Sequence, residues 1–252
     1  TFGLLVAFFS CIVSVVLAIS SFAYDKKGAI ERSEKLAKIT RSFALLSALA
    51  LSICCIVLVY CFLSGDNSID YVVRNRSHAS GALGVLYKIS GLWAGRSGSL
   101  MFWAWLISIF SAVLIIAIRK RSRQLDNVAL GIAQIVVLLF LGVILFTPSN
   151  MPFALLPDFY FDESGALNAA AYEMGMNPLL EHWAMAIHPP TLFIGYAGMT
   201  FPFAYAISAL VVNDSSDSWV KVSKPYLMVS WFFLTAGIGL GAIWAYVVLG
   251  WG

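Results

Sequence analysis

Charged residues are scarce in this chain, and their scarcity excludes most soluble folds. Only 12% of the 252 residues are charged while 60% are hydrophobic, whereas a soluble domain carries about a quarter charged residues. The formal net charge of +3 is small and scattered, which argues against a nucleic-acid-binding protein. The surplus of apolar surface requires lipid as its solvent, so the composition predicts an integral membrane protein.

Reactive cysteine pairs and nucleotide motifs are also absent. The four cysteines, Cys11, Cys54, Cys55 and Cys61, form no Cys-x-x-Cys pair and lie inside long apolar runs. Cysteines in such surroundings usually behave as small hydrophobic residues, so we expect no thiol exchange by the chain itself. The sequence contains no nucleophile elbow, P-loop or dinucleotide-binding fingerprint.

Six stretches contain no charged residue and no histidine, and each is long enough to cross a membrane, which takes about 20 helical residues. They cover approximately residues 1–24, 42–64, 99–118, 127–147, 190–212 and 226–249. Backbone groups in lipid must be satisfied within the segment, so these spans are expected to be helices. The sequence predicts an all-α bundle of about six transmembrane helices, forming one domain over residues 1–252.

The uncharged spans argue against an ion-coupled transporter, because intramembrane charges mark ion and proton pathways. A transporter subunit for another solute is nevertheless an alternative from a different functional class. It would require a partner to supply polar groups at mid-membrane depth.

Lysine and arginine are distributed unevenly between the connections. The connections 25–41, 119–126 and 213–225 hold twelve of the sixteen basic residues. The long connections 65–98 and 148–189 hold the other four, and the second of them contains none. The positive-inside rule therefore predicts that both long loops and both chain ends lie outside the cytoplasm.

The second outer loop ends in Asn177-Pro-Leu-Leu-Glu-His-Trp-Ala-Met-Ala-Ile-His-Pro-Pro190. Apolar residues at helical spacing over 178–188 predict a short interfacial helix before the fifth span. Pro189 and Pro190 disfavour the helical region for the residue that precedes each of them, so this helix should end at His188 and the next should begin at the prolines. His188 would then be held at a stiff corner that faces outward.

A neutral imidazole at such a corner is suited to act as an axial ligand of haem iron. His182 is six residues away, about 120° around a helix, so these two histidines cannot clamp one metal as an i, i+4 pair. Taken alone, an interfacial histidine is more often an ordinary hydrogen-bonded residue. The residues therefore leave both interpretations open.

Glycines and tryptophans are concentrated between Ser90 and Trp105, at the outer mouth of the third span. Gly91, Gly95 and Gly98 would let a backbone or a flat ligand approach closely. Trp93 offers a broad face, but tryptophans also form the interfacial belt of membrane proteins, and composition alone favours the belt.

The sixth span contains Gly237-Ile-Gly-Leu-Gly241, a small-xxx-small face suited to close helix packing.

In their order, these segments resemble the CcmF/NrfE-type haem lyase subunits of bacterial cytochrome c maturation. The resemblance covers nearly the whole chain and is most specific at Asn177-Pro-Leu-Leu and at Ala186-Ile-His-Pro-Pro-Thr-Leu-Phe-Ile-Gly-Tyr196. The final residues Leu249-Gly-Trp-Gly252 are similar to the beginning of the tryptophan-rich, haem-binding WWD segment of that family.

The resemblance implies that His188 is a periplasmic axial ligand of the haem being delivered, positioned by Pro189 and Pro190. Trp93 and Trp251 are the candidate aromatic residues of the haem site. The resemblance also implies a b-type haem, which a haem chaperone delivers, and an apocytochrome c, whose thiols are joined to the haem vinyl groups. The chain would lie in the bacterial inner membrane together with other cytochrome c maturation subunits. The lyase would act mainly by orienting the porphyrin.

Several family features differ here or lie beyond Gly252. Many members carry His and Glu where this chain has Arg96 and Ser97, and an acidic residue where it has Val247 and Val248. The resemblance implies that the C-terminal half of the lyase is a partner of this chain. That half would carry the rest of the WWD segment, a second periplasmic histidine and two membrane histidines. The chain alone would then lack a complete lyase site. A second interpretation is a related WWD-type protein that presents haem without attaching it.

Overall fold

A computed structural model of the chain describes residues 1–119 and 123–251. Residues 120–122, which fall in the connection 119–126, and Gly252 lie outside the described residues. The described part is almost wholly helical, and its paired extended residues are confined to two isolated bridges. The prediction of an all-α fold is confirmed.

Six of the helices are long and apolar enough to cross a membrane, namely α1, α2, α5, α6, α8 and α9 as defined below. Their number agrees with the six charge-free stretches of the sequence. The helices of the described residues are α1 Phe2–Lys26, α2 Ile30–Ser64, α3 Asp70–Asn75, α4 Gly81–Ala94, α5 Arg96–Ala117, α6 Gln124–Phe146, α7 Ala169–Tyr172, α8 Trp183–Val212 and α9 Ser218–Leu249.

Helix α2 extends well beyond the predicted span 42–64. It has 35 residues and is therefore roughly 52 Å long, more than the about 40–45 Å of a bilayer with its headgroups. Its first turns carry the exposed side chains of Arg32, Lys35 and Lys38. The basic connection 25–41 is thus mostly a helical extension that can leave the membrane.

Helix α1 packs on α2 and on α6, and α6 in turn packs on α8. Helix α9 packs mainly on α8, while α5 packs on α2 and α6. Their contact faces bury apolar side chains such as Leu51, Met101 and Phe201 completely. The outer faces expose Ile56 and Leu139, as expected where lipid is the solvent. Helix α9 is buried much less than the others and leaves most of its surface open.

A buried polar cluster joins α2, α6 and α8 at the end of the bundle where the basic connections lie. Asp126 of α6 is fully buried and its Oδ1 accepts a hydrogen bond of 2.8 Å from the Tyr205 hydroxyl. Beside it, the Arg41 guanidinium donates to Asn127 Oδ1 at 2.8 Å. Buried polar groups require such partners, and here they hold three helices in register, with the charged members Arg41 and Asp126 next to the ends of the charge-free spans.

Helix α8 runs without a break through Pro189 and Pro190. The prediction that a helix ends at His188 and another begins at the prolines is wrong, and the expected interfacial helix is reduced to a single 3-10 turn at Pro178–Leu180. Transmembrane helices tolerate proline when side chains and neighbouring helices compensate for the lost backbone bonds. Here the prolines remove the donors to the carbonyls of Met185 and Ala186 only, and the next carbonyl, that of Ile187, accepts a hydrogen bond of 2.7 Å from Thr191 Oγ1.

The two long loops 65–98 and 148–189, which the charge distribution predicts to lie outside the cytoplasm, pack against each other over one end of the bundle. Ile69 pairs with Leu155 in an isolated antiparallel bridge. The Arg76 guanidinium donates to the carbonyls of Ala171 and Tyr172, both at 3.0 Å. These bonds tie the segment before α4 to the segment before α8, so the two loops form one continuous cap.

Candidate functional site

His188 lies near the beginning of α8, on the side that faces α9. Its ring is partly buried, and Nδ1 lies 2.7 Å from the carbonyl oxygen of Gly237. A carbonyl can only accept, so in the neutral imidazole Nδ1 carries the proton and Nε2 carries the lone pair. Among the described residues, Nε2 has no hydrogen-bond partner. In this tautomer the imidazole keeps one nitrogen without a hydrogen-bond partner, which is the protonation pattern of a metal-binding histidine.

The close approach of His188 to α9 depends on Gly241. A Cβ atom at Gly241 would lie 2.5 Å from Cε1 and 2.9 Å from Nδ1 of the imidazole. One turn earlier, a Cβ atom at Gly237 would lie 2.6 Å from Cδ2 of Leu192. The small-xxx-small face predicted in the sixth span is thus used, with α8 as its partner.

The same interface continues away from the histidine. A Cβ atom at Gly195 would lie 2.6 Å from Cγ of Leu234, and one at Gly198 would overlap Ser230 Oγ. Small residues on both helices therefore let α8 and α9 approach closely over several turns, which holds His188 and the Gly237 carbonyl at a defined distance.

Trp93 lies at the end of α4 and its indole faces the other side of α8. It shares a small hollow with Pro189, Met176 and Met185, and its ring centroid lies 5.3 Å from that of Phe102. Its buried Nε1 has no hydrogen-bond partner among the described residues. The structure thus brings Trp93 beside Pro189, one residue from the ligand candidate, while the His188 ring is turned toward α9.

The glycines near Trp93 are packed by side chains of the protein itself. A Cβ atom at Gly91 would lie 2.5 Å from the Phe62 ring, and one at Gly98 would overlap the Tyr71 hydroxyl. The flat group that approaches this segment is therefore an aromatic residue of the chain. The glycines allow Tyr71 to reach the junction between α4 and α5, where its hydroxyl lies 3.0 Å from the Gly91 carbonyl oxygen and 3.0 Å from the Gly95 nitrogen.

Replacing Tyr71 by phenylalanine should destabilise this junction. The change leaves a buried carbonyl and a partly buried N–H without their partner, which costs about 1–3 kcal/mol. Thermal unfolding in detergent measures the loss. The matched control is Tyr60→Phe, since Tyr60 lies on the exposed face of α2 and should tolerate the change. Equal melting temperatures for the two variants would contradict the capping role of Tyr71.

Arg96 and Ser97 both contact the turn that follows α6. Arg96 Nη2 and Ser97 Oγ donate to the carbonyl of Ser149 at 3.4 Å and 3.3 Å. They tether the start of α5 to the loop 148–189. The chain thus uses these two positions to join the cap to the bundle.

The two tryptophans near the end of α9 differ in environment. Trp251 is 72% exposed. Trp244 donates from Nε1 to the Leu179 carbonyl at 3.1 Å and so joins α9 to the turn before α8. This tether was not identified from the sequence, and the same is true of the Gly237 carbonyl, whose only sequence signal is the spacing of the glycines.

His188 offers a metal a single protein nitrogen. In the described part of the chain, no group of three or more His, Cys, Asp or Glu side chains is placed to hold a metal ion. Haem iron matches a lone imidazole because the porphyrin supplies four equatorial nitrogens and the protein adds axial ligands. The residues present therefore fit an axial position of a haem.

The fold and the site define a multi-pass α-helical membrane protein whose capped end presents one oriented imidazole. Comparison with known families is consistent with this description. Residues 93–252 match the family model described as cytochrome c assembly protein, and the chain belongs to this family.

The relatives with curated descriptions are longer proteins. The chain is 32% identical over 243 residues to the cytochrome c-type biogenesis protein CcmF of Haemophilus influenzae, covering 96% of the chain and 35% of that protein. It is 34% identical over 197 residues to NrfE of the same organism, covering 78% of the chain and 28% of NrfE. The chain thus spans about a third of the length of the relatives it matches.

A solved structure shares the fold. The structure described as the cytochrome c haem lyase CcmF aligns with a TM-score of 0.76 and 25% sequence identity, covering 99% of this chain and 36% of that one. Together with the family match, this confirms the resemblance to CcmF/NrfE-type proteins that the sequence motifs indicated.

Proposed function

We propose that this chain positions haem at the outer face of the bacterial inner membrane so that it can be attached to apocytochrome c, with His188 Nε2 as an axial ligand of the iron. The observation that carries the proposal is the 2.7 Å contact between His188 Nδ1 and the Gly237 carbonyl. Histidines that bind metals commonly donate their other N–H to such a carbonyl, which fixes the ring and raises the basicity of the free nitrogen.

Haem is a substrate in this proposal, and the role of the chain is to orient the haem. When a thiol adds to a vinyl group, the S–H bond breaks, a C–S bond forms and the proton ends on the neighbouring vinyl carbon, so no oxidant is required. Holding the two reacting groups in the correct geometry is the main contribution an enzyme can make to such a step. A fixed imidazole on one side of the porphyrin limits tilt and translation of the ring.

Pro189 and Pro190 would support this role by stiffening the turn of α8 that carries the ligand. Trp93 lies beside Pro189 and would support it from the α4 side, while Trp251, exposed beyond the end of α9, is available to a group that binds there. The second axial ligand, the haem chaperone, the apocytochrome and the C-terminal half of the lyase would complete the site from outside the chain.

The proposal is tested by co-expressing the chain with the other maturation components and a reporter apocytochrome c, in cells that lack their own lyase. We expect covalent haem on the reporter, detected by peroxidase staining after denaturing electrophoresis. Haem that co-purifies with the membrane protein without labelling the reporter would instead indicate presentation of haem without attachment. Membranes that acquire no haem at all would contradict both functions.

A further inference from the structure

A groove of about 750 Å³ lies between α5 and α9, at the other end of α9 from the contact with His188. Lys221 lines the groove and precedes Gly237 by sixteen residues, which corresponds to roughly 24 Å of helix. The volume falls within the about 300–1,000 Å³ of small-molecule sites. The groove therefore belongs to a different part of the molecule and is independent of the proposed haem site.

The walls of the groove are apolar. Phe110, Val113 and Leu114 contribute from α5, and Val222 and Tyr226 contribute from α9. Behind this lining, the fully buried Phe201 of α8 packs on two of its rings: it stacks on Tyr226 at 5.0 Å and lies 5.8 Å from Phe110. An uncharged hydrocarbon group would bury apolar surface along this channel.

Part of the groove lies at the depth of the hydrocarbon core. Within the predicted span 99–118 its lining on α5 extends from Phe110 to Ala117, roughly 10 Å of helix. Half of the hydrocarbon core of a bilayer is about 15 Å. An acyl chain could therefore follow the groove over most of one leaflet, while the lining residues from Ser218 to Pro225 on α9 belong to the basic connection 213–225.

Two cations stand at the mouth, Arg123 immediately before α6 and Lys221 in the first turns of α9. Both side chains are exposed, and within the described residues neither forms an ion pair. Asp217, four residues before Lys221, is not paired with it. Hydrogen bonds from Ser216 hold the pKa of the Asp214 carboxyl below its usual range. The positive charge of Arg123 contributes to this lowering to a lesser extent.

We propose that this groove binds one anionic phospholipid, with an acyl chain along the apolar walls and the headgroup phosphate between Arg123 and Lys221. Basic pockets between transmembrane helices bind anionic lipid headgroups in this way. A zwitterionic lipid would bring its own cation to the two basic side chains, and a neutral isoprenoid would leave them without a counter-charge. The arrangement therefore favours a headgroup with net negative charge.

Native mass spectrometry of the detergent-solubilised protein tests the proposal with phosphatidylglycerol and phosphatidylcholine of identical acyl chains. We expect one phosphatidylglycerol to be retained at least tenfold more tightly than phosphatidylcholine. The double variant Arg123→Gln/Lys221→Gln should lose this preference. Val113→Trp, which fills the groove from α5, should weaken retention of the lipid while leaving the cations in place.

The matched control removes two exposed cations elsewhere, Lys35→Gln/Lys38→Gln on α2, and should retain phosphatidylglycerol as the unmodified protein does. Glycerol phosphate at equal concentration should not compete, because it lacks the acyl chain. The proposal is overturned by equal retention of the two lipids, by unchanged preference in the Arg123/Lys221 variant, by an equal loss in the α2 control, or by competition from glycerol phosphate.

Discussion

Replacing His188 by alanine is expected to abolish the absorbance of haem bound at the capped end of the bundle and, with it, covalent labelling of the reporter cytochrome. The variant removes the nitrogen that would bind iron and the N–H that donates to the Gly237 carbonyl at 2.7 Å. Since a single protein nitrogen is offered at this site, no neighbouring group of the described chain can replace it. We expect haem occupancy to fall at least tenfold in spectra recorded with the holo-chaperone present.

His182 provides the matched control because it lies immediately before α8, six residues from His188, and differs in its role. Its Nδ1 accepts a hydrogen bond from the Ala184 nitrogen at 3.3 Å, capping α8. His182→Asn keeps a good N-cap residue and should retain haem binding. Imidazole added to the His188→Ala protein should restore part of the absorbance, because it can occupy the space left by the ring. Full haem binding and maturation by His188→Ala would refute the assignment.

Gly241→Ala is expected to impair haem binding without altering any ligand. The added methyl group would lie 2.5 Å from Cε1 and 2.9 Å from Nδ1 of His188, so the imidazole must move away from α9 and lose its bond to Gly237. Overpacking of this kind costs about 1–3 kcal/mol, which corresponds to a change in affinity of roughly fivefold to 150-fold if the cost falls on the ligand-binding conformation. A haem titration followed at the Soret band measures the change.

Gly239→Ala is the control for this substitution, since it adds the same methyl group two residues away on the same helix. A Cβ atom there meets nothing within 4 Å, and alanine favours a helix over glycine by about 0.8–1 kcal/mol. The variant should therefore bind haem normally and be as stable as the unmodified protein or more so. If both variants lost haem binding equally, the His188–Gly241 contact would not be the cause.

The charge distribution predicted the number of membrane helices but not their ends. Spans of uncharged residues are selected by the cost of placing charge in lipid, and this local rule found all six. It could not show that α2 begins at Ile30 or that Asp126 is buried inside the start of α6, because a helix that leaves the membrane can carry charge on its exposed turns and pair it elsewhere. Likewise, the preference of residues before proline was outweighed by the packing of α8 on α9.

For the site, the sequence pointed to His188 through its prolines, to Trp93 through its glycines and to a close-packing face through Gly237 and Gly241. It could not pair these features. The partner of His188 is a backbone carbonyl, at which the spacing of the glycines hints only indirectly, and the group that fills the space beside Gly98 is Tyr71 from another helix. Such pairings depend on which faces of distant segments meet.

By itself, the sequence determined that this chain has six candidate membrane spans and that His188 is the histidine of its His-Pro-Pro motif. Both follow from residue type and from spacing along one segment. The tertiary structure alone decided that this imidazole faces α9, that its Nδ1 is held by Gly237 and its Nε2 left available, and that two cations meet an apolar groove at the opposite end. The physical reason is that helix contacts set distances between residues far apart in the chain, and both ligand geometry and charge complementarity depend on those distances.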